Sequence, residues 1–478
     1  MHRSSDKTWR PERPPQAGSL PHILLLTVLF CLALHAADRA DFIWTARYVV
    51  TMDAQHRVID NGAVAVLGSH IVAVDTRANI DRRFTTAHRL DRGDAVIIPG
   101  LINTHTHAAM SLFRGIADDM VLQDWLEKFI FPAEARNVTP DFVLWGTRLA
   151  CLEMMLGGTT TFTDMYYFED RVAEGAKEAG MRGVLGETII GFPVPDAKTP
   201  RDSLAWTEQY IQRYHDDPLV TPAVAPHALY TNSEATLKAS RALANKYSVP
   251  LVIHLSETPR DSDQTMKEHG LRAVPWLDSI GLFNGRTVAA HAVQVDENDM
   301  AILRRDNVGV AHCPSSNMKL ASGIAPVTRM LALGINVGLG PDGPAGSNND
   351  FDMMEEMNLA ADLQKVATGD PRSVPAEQAL AMATINGARV IGRERDLGSL
   401  EPGKLADMVV IRLDQPHAVP LYNIYSQLVY ALKASDVRDV MVNGRAIVSD
   451  AHSLTLDEGV ILTKAREYRR SVQQSLSH

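Results

Sequence analysis

Cysteine is almost missing from this chain: there are three in 478 residues, Cys31, Cys151 and Cys313. That excludes a disulfide framework, and the lack of any Cys-x-x-Cys excludes a zinc ribbon. Cys31 falls in a leader-like segment, which leaves at most one bridge for the rest of the chain. Spanning helices are not signalled either. The apolar run at 23–34 is twelve residues long, against about 20 needed to cross a bilayer. Positive charge is in deficit, with 47 Lys and Arg against 57 Asp and Glu and a formal charge of −10. A chain with that balance and a pI near 5.9 is a poor partner for nucleic acid. Small neutral or anionic substrates stay open. No internal repeat or low-complexity tract is visible.

What is present begins with a leader. Arg3, Lys7, Arg10 and Arg13 precede the apolar run, and His35-Ala-Ala follows it. This is the order of a secretory signal, so residues 1–40 predict export or a membrane tether; the alternative is an over-called start on a cytoplasmic protein. In either case they stand outside the fold. Residues 42–74 then read as short strands with Asp60-Asn-Gly and Gly68-Ser turns, and 406–411 and 439–443 are strand-like again. A small β-sandwich domain built from both chain ends, 41–96 and 397–450, is the economical reading. A C-terminal helical tail, 451–478, follows it.

The middle, 97–396, alternates apolar runs with helical patterns. Eight strand candidates lie at 96–104, 159–164, 183–190, 220–227, 250–254, 287–291, 308–312 and 335–340, with helices at 141–156, 234–246 and 297–304. Eight such alternations predict an α/β fold of the (β/α)8 barrel type, whose active site lies at the C-terminal ends of the strands.

Those strand ends carry the chemistry. After the apolar Ala95-Val-Ile-Ile comes Pro99-Gly-Leu-Ile-Asn-Thr-His-Thr-His. Alternation along a strand points His105 and His107 the same way, so both can grip one ion. His227 ends the fourth strand, His254 the fifth, His291 the sixth and Asp342 the eighth, with Glu257 three residues past His254. Any one of these alone reads as a hydrogen-bonded strand end or an exposed loop acid; the set reads as one mouth. His105, His107, His254 and Asp342 form a donor set for one Zn²⁺ with a position left for water, whose pKa zinc lowers toward about 7. Glu257 is then the proton carrier, and His291 a hydrogen-bond partner of the attacking hydroxide or the tetrahedral centre. A second metal needs a bridging carboxylate or modified lysine, and the fourth strand offers His227 instead, so one metal per subunit is expected.

This pattern resembles the amidohydrolase superfamily, and within it the 5-methylthioadenosine/S-adenosylhomocysteine deaminases. The resemblance runs from Phe42 to about Ser449 through the 99–107 motif, Ser-Leu-Phe-Arg-Gly at 111–115, Leu-Gln-Asp-Trp-Leu at 122–126 and His254-Leu-Ser-Glu. It continues through Pro-Ser-Ser-Asn-Met-Lys-Leu-Ala-Ser-Gly at 314–323, Gly-Ser-Asn-Asn-Asp at 346–350 and Gly-Ser-Leu-Glu-Pro-Gly-Lys-Leu-Ala-Asp at 398–407. It implies hydrolytic deamination of an adenine nucleoside thioether, zinc (or iron) as cofactor, and a homo-oligomer. It also implies that Glu134 binds the ribose hydroxyls, a task suited to a carboxylate facing a vicinal diol; without the resemblance Glu134 reads as a surface helix residue. Trp125 becomes a wall beside the base, or else a helix core position. His227 becomes a substrate contact, and Arg182 a loosely matched one. Asp342 would also relay a proton to the departing amine. Two departures, Pro341 before the metal aspartate and an extra residue in Pro344-Ala-Gly-Ser-Asn-Asn, bear on the substrate tail.

Two other readings stand beside this one. The same site could act on another cyclic amidine, guanine or a triazine, and Glu134 discriminates because only a riboside needs it. A barrel without catalysis, used for binding, is the remaining reading, and the complete set of ligands and acid–base groups speaks against it.

Overall fold

The computed structural model describes residues 37–476 and, ahead of them, Trp9. The predicted leader lies almost wholly outside the described residues, among which no helix is long and apolar enough to cross a membrane.

Eight parallel strands close into a barrel: Leu101–Thr106, Thr159–Tyr166, Arg182–Ile189, Val220–Pro226, Leu251–Leu255, Thr287–His291, Gly309–His312 and Val337–Leu339. Nearly every residue of these strands is buried, as expected of parallel strands covered on both faces. The helices between them start where local chemistry starts them. The Thr139 hydroxyl accepts from Phe142 N–H ahead of Pro140–Leu156, Ser233 from Thr236 N–H ahead of Glu234–Tyr247, and Asp296 from Asp299 N–H ahead of Glu297–Arg305. All three agree with the periodicity of the sequence to within a residue.

The chain ends join in one nine-stranded sheet. Its N-terminal share includes Phe42–Val50, Val58–Leu67, His70–Thr76 and Ala95–Pro99; Met408–Arg412, Val437–Val442 and Arg445–Ser449 come from the far end. The two shares meet antiparallel, with Ala95 opposite Arg412 and Pro99 opposite Met408. Alternation gives the sheet two apolar faces: Val64 and Val66 pack with Trp44 and Met408, while Ala63 and Ala65 pack with Ile43 and Ile80.

One sequence expectation needs correction here. Ala95-Val-Ile-Ile is not the start of the first barrel strand. It belongs to the sheet, and the barrel strand begins at Leu101. The single residue between them must be small: a Cβ at Gly100 would lie 2.1 Å from the Thr160 hydroxyl oxygen. The boundary expected after residue 96 therefore falls at Gly100.

Candidate metal centre and active site

The barrel brings five predicted side chains together at its C-terminal mouth. His105 and His107 come from the first strand and its end, His254 from the fifth, His291 from the sixth, and Asp342 follows the eighth. Ligand atoms of His105, His254, His291 and Asp342 all lie within 4.8 Å of one another. His107 completes the group: its Nε2 is 3.3 Å from Asp342 Oδ1 and 3.3 Å from His254 Nε2, and His105 Nε2 is also 3.3 Å from that carboxylate oxygen. His254 lies near-parallel to both His107 and His291, and His105 stands edge-on to all three.

Backbone carbonyls fix which nitrogen of each ring faces inward. His107 Nδ1–H donates to Met165 O at 2.7 Å, and His254 Nδ1–H donates to His227 O at 2.8 Å. Both Nε2 atoms then point into the cluster, at each other, an arrangement that repels unless a proton or a metal cation lies between them. His105 is fully buried, and neither ring nitrogen has a hydrogen-bond partner. Burial pushes His105 down to about 4 and holds His254 and His291 below the ordinary imidazole value, so they present neutral, ligand-ready rings. Burial pulls His107 down too, but the hydrogen bond and charge of Asp342 carry it up to about 9. Burial likewise opposes ionisation of Asp342, yet His105 and His107 keep its carboxyl well below the usual range. An anionic oxygen among inward lone pairs is a nitrogen-and-oxygen donor set of the kind zinc takes.

The backbone under these groups is held in an uncommon conformation. Ser256, His291, Ala292 and Asp342 have φ of 47°, 71°, 47° and 67°, a left-handed geometry costing about 1–3 kcal/mol each in a non-glycine residue and concentrated at functional sites.

Glu257 faces the cluster, with Oε2 3.7 Å from His291 Nε2. Its backbone N–H donates to Asp261 at 2.9 Å, which fixes the turn after the fifth strand. Burial, then the charges of Asp342 and Asp261, push its carboxyl well above the usual range. A carboxyl so placed holds a proton more readily than a solvated one, as a proton carrier must.

A pocket extends from the cluster to solvent, spanning about 540 Å³ when its open mouth is included. Glu134 and Trp125 line it. Glu134 is buried, not a surface residue, and accepts hydrogen bonds from Tyr166 OH at 2.7 Å and Tyr167 OH at 3.3 Å. Burial lifts it to about 7 against those two donors. Trp125 is buried in the wall, and its indole N–H donates to Ala345 O at 3.0 Å. That bond holds the loop carrying the extra residue. Gly346 in the same loop has φ of 123°, and a Cβ there would sit 1.9 Å from Ala117 O. The Pro341 carbonyl is satisfied by Asn348 Nδ2 at 3.0 Å. His227 lines the pocket as well, its ring 4.6 Å from that of His254 and its Nδ1 3.2 Å from Thr231 Oγ1.

The pattern of the amidohydrolase family matches residues 96–447. The chain belongs to the amidohydrolase family. Among curated relatives, 5-methylthioadenosine/S-adenosylhomocysteine deaminase 1 of Syntrophus aciditrophicus (strain SB) is 47% identical, covering 90% of this chain and 96% of the relative. Among solved structures, an adenosine deaminase from Xanthomonas campestris with bound zinc superposes with a TM-score of 0.90 at 37% identity, covering 92% of this chain and 100% of that one. The zinc complex of atrazine chlorohydrolase from Arthrobacter aurescens TC1 gives 0.82 at 25% identity, covering 90% and 100%.

Within this amidohydrolase, one expected substrate contact lies elsewhere. Arg182 is the first residue of the third barrel strand, at the end away from the mouth. It is buried against Asp407, donating at 3.2 and 3.3 Å, and it also donates to Pro218 O at 2.7 Å. It joins barrel to sheet and does not line the pocket. Conversely, several residues at the site escaped sequence reasoning. Ser316 Oγ donates to Asp342 Oδ2 at 2.7 Å, and Asn317 Oδ1 accepts from His291 Nδ1–H at 3.0 Å. Both stand in the 314–323 motif, whose role had no local signal. His312, which ends the seventh strand with both ring nitrogens unpartnered, carried the same strand-end signal as the others and was passed over.

Proposed function

We propose that this amidohydrolase is a zinc-dependent aminohydrolase of adenine nucleosides, converting a 5′-thioether adenosine and water to the inosine counterpart and ammonia. The observation that carries the reading is Glu134. A buried carboxylate steadied by two tyrosine hydroxyls, in the same pocket as the imidazole cluster, has acceptor capacity left for a vicinal diol. The relatives named as adenosine-type deaminases support it.

His105, His107, His254 and Asp342 would hold the metal, which supplies Lewis acidity and makes water a nucleophile near neutral pH. Glu257 takes a proton from the attacking water and returns it to ring nitrogen N1 as oxygen adds to C6. His291, its tautomer set by Asn317, hydrogen-bonds the added oxygen. Asp342, steadied by Ser316, takes the proton of the added C6 hydroxyl and passes it to the exocyclic amine, which leaves as ammonia. The C6–N bond breaks, C6–O becomes the carbonyl of the product, and the two protons of water end on N1 and on ammonia.

The deciding experiment assays the zinc-loaded protein against adenosine, 5-methylthioadenosine, S-adenosylhomocysteine, guanine and atrazine, following ammonia or chloride release. Turnover of the adenine nucleosides above the rest is expected. Turnover confined to guanine or atrazine would instead establish the cyclic-amidine alternative that the chlorohydrolase likeness supports.

A further inference from the structure

Beyond the imidazole cluster at its floor, the described lining of the pocket offers no cation. Its ionisable lining consists of four imidazoles, three tyrosine hydroxyls and the carboxyls of Glu134, Glu257 and Asp342, with no lysine or arginine among the described residues. Much of the remainder is apolar: Leu122, Leu126, Ile130 and Phe131 from one segment, and Leu320 from another. Basic side chains close to these segments in sequence are committed elsewhere. Lys319 donates to Asp118 and to Gly346 O, Lys128 pairs with Asp124 at 2.8 Å, and Arg260 pairs with Glu127 at 3.6 Å. The adjoining groove, which shares Tyr230 with the pocket, repeats the pattern. Its charged lining is Glu234 and Glu268, beside His269, again with no lysine or arginine.

A carboxylate brought into the pocket above the metal cluster loses water and gains no cation in exchange, the costly way to bury a charge. A methylthio group loses nothing by leaving water and packs against leucine and phenylalanine. We propose that this site selects adenine nucleosides whose 5′ substituent is short and uncharged, and discriminates against tails that end in a carboxylate. Of the two thioethers in the parent reading, the methylthio nucleoside is the substrate and the homocysteine nucleoside is the poor one. This inference rests on the nucleoside deaminase reading above.

The test measures kcat/KM of the zinc-loaded enzyme on 5-methylthioadenosine, S-adenosylhomocysteine and two analogues with the homocysteine chain length. One analogue keeps only the carboxylate, the other only the amine. The methylthio nucleoside should exceed both carboxylate-bearing compounds by about tenfold to hundredfold, the penalty for an unpaired buried charge, with the amine-only analogue above them. Equal efficiency of the methylthio and homocysteine nucleosides overturns the proposal and leaves the deaminase reading intact. Equal loss on all three long tails assigns the discrimination to length and overturns the charge argument. Failure of every adenine nucleoside removes the parent reading and this selectivity together.

Discussion

The two ends of the barrel bury charge in opposite ways. At the closed end Arg182 and Asp407 answer each other. The guanidinium also reaches Pro218 O, and the carboxylate also accepts Asn443 N–H at 2.7 Å. At the mouth, His105 Nδ1 has no partner, its Nε2 meets only the shared Asp342 oxygen at 3.3 Å, and the inward nitrogens of His107 and His254 face one another. A saturated network fixes one packing of two domains, whereas an unsaturated one is held ready for a ligand. At these two ends, the complete network is structural and the open one is functional. Left-handed φ values at His291 and Asp342, and none at Arg182 or Asp407, follow the same division.

The comparison can be broken from either end. The largest effect belongs to the metal. Chelation should abolish turnover, and about one equivalent of zinc per chain should restore it, as a donor set without a bridging lysine requires; elemental analysis giving two equivalents in the active enzyme would sink this. Next comes Glu257. Glu257→Gln keeps the shape and removes the proton carrier, so kcat should fall about 10²–10⁴-fold with zinc content unchanged. Near-normal turnover would take the role away from it.

At the closed end the readout changes from rate to stability. Arg182→Met leaves Asp407 buried without its cation, a loss of about 3–5 kcal/mol in unfolding free energy, while activity per folded molecule is preserved. A drop in kcat/KM with normal stability would return Arg182 to the substrate site. The smallest effect is at Glu134. Glu134→Ala should cost a riboside about 1.5–3 kcal/mol of transition-state binding and spare any free base. The pH dependence has a definite sign. A carboxyl lifted to about 7 is neutral below that pH, and the diol-accepting carboxylate grows in above it, so kcat/KM on ribosides rises through neutrality and Glu134→Gln flattens the rise. Stability runs the other way. The folded state favours the protonated acid, so this contribution is complete below the ordinary carboxyl value and fades as pH passes about 7.

Much of this was legible because a barrel turns sequence position into place. A polar residue directly after an apolar strand lands at the mouth, which located His105, His107, His254, His291 and Asp342. The same rule, applied to the front of a strand, would have placed Arg182 at the other end, since it precedes Gly183-Val-Leu rather than following it. The split at Gly100 was hidden because two strands of equal apolarity run together across one residue. Glu134 was invisible without the resemblance: what buries it is a pair of tyrosines on the second strand and just past it, brought together only by the closed fold.

The antiparallel pairing of Ala95–Pro99 with Met408–Arg412 has a consequence for synthesis. When the ribosome has released every residue of the mouth through Asp342, the strand leading into the first barrel strand is still an open edge, and Arg182 still lacks Asp407. The nascent barrel therefore carries an unpaired edge and an unpaired buried cation until the last strands emerge, the condition in which sheets pair with the wrong chain. The final part of the chain, though it contributes nothing to the chemistry, determines when the chain is safe from its neighbours.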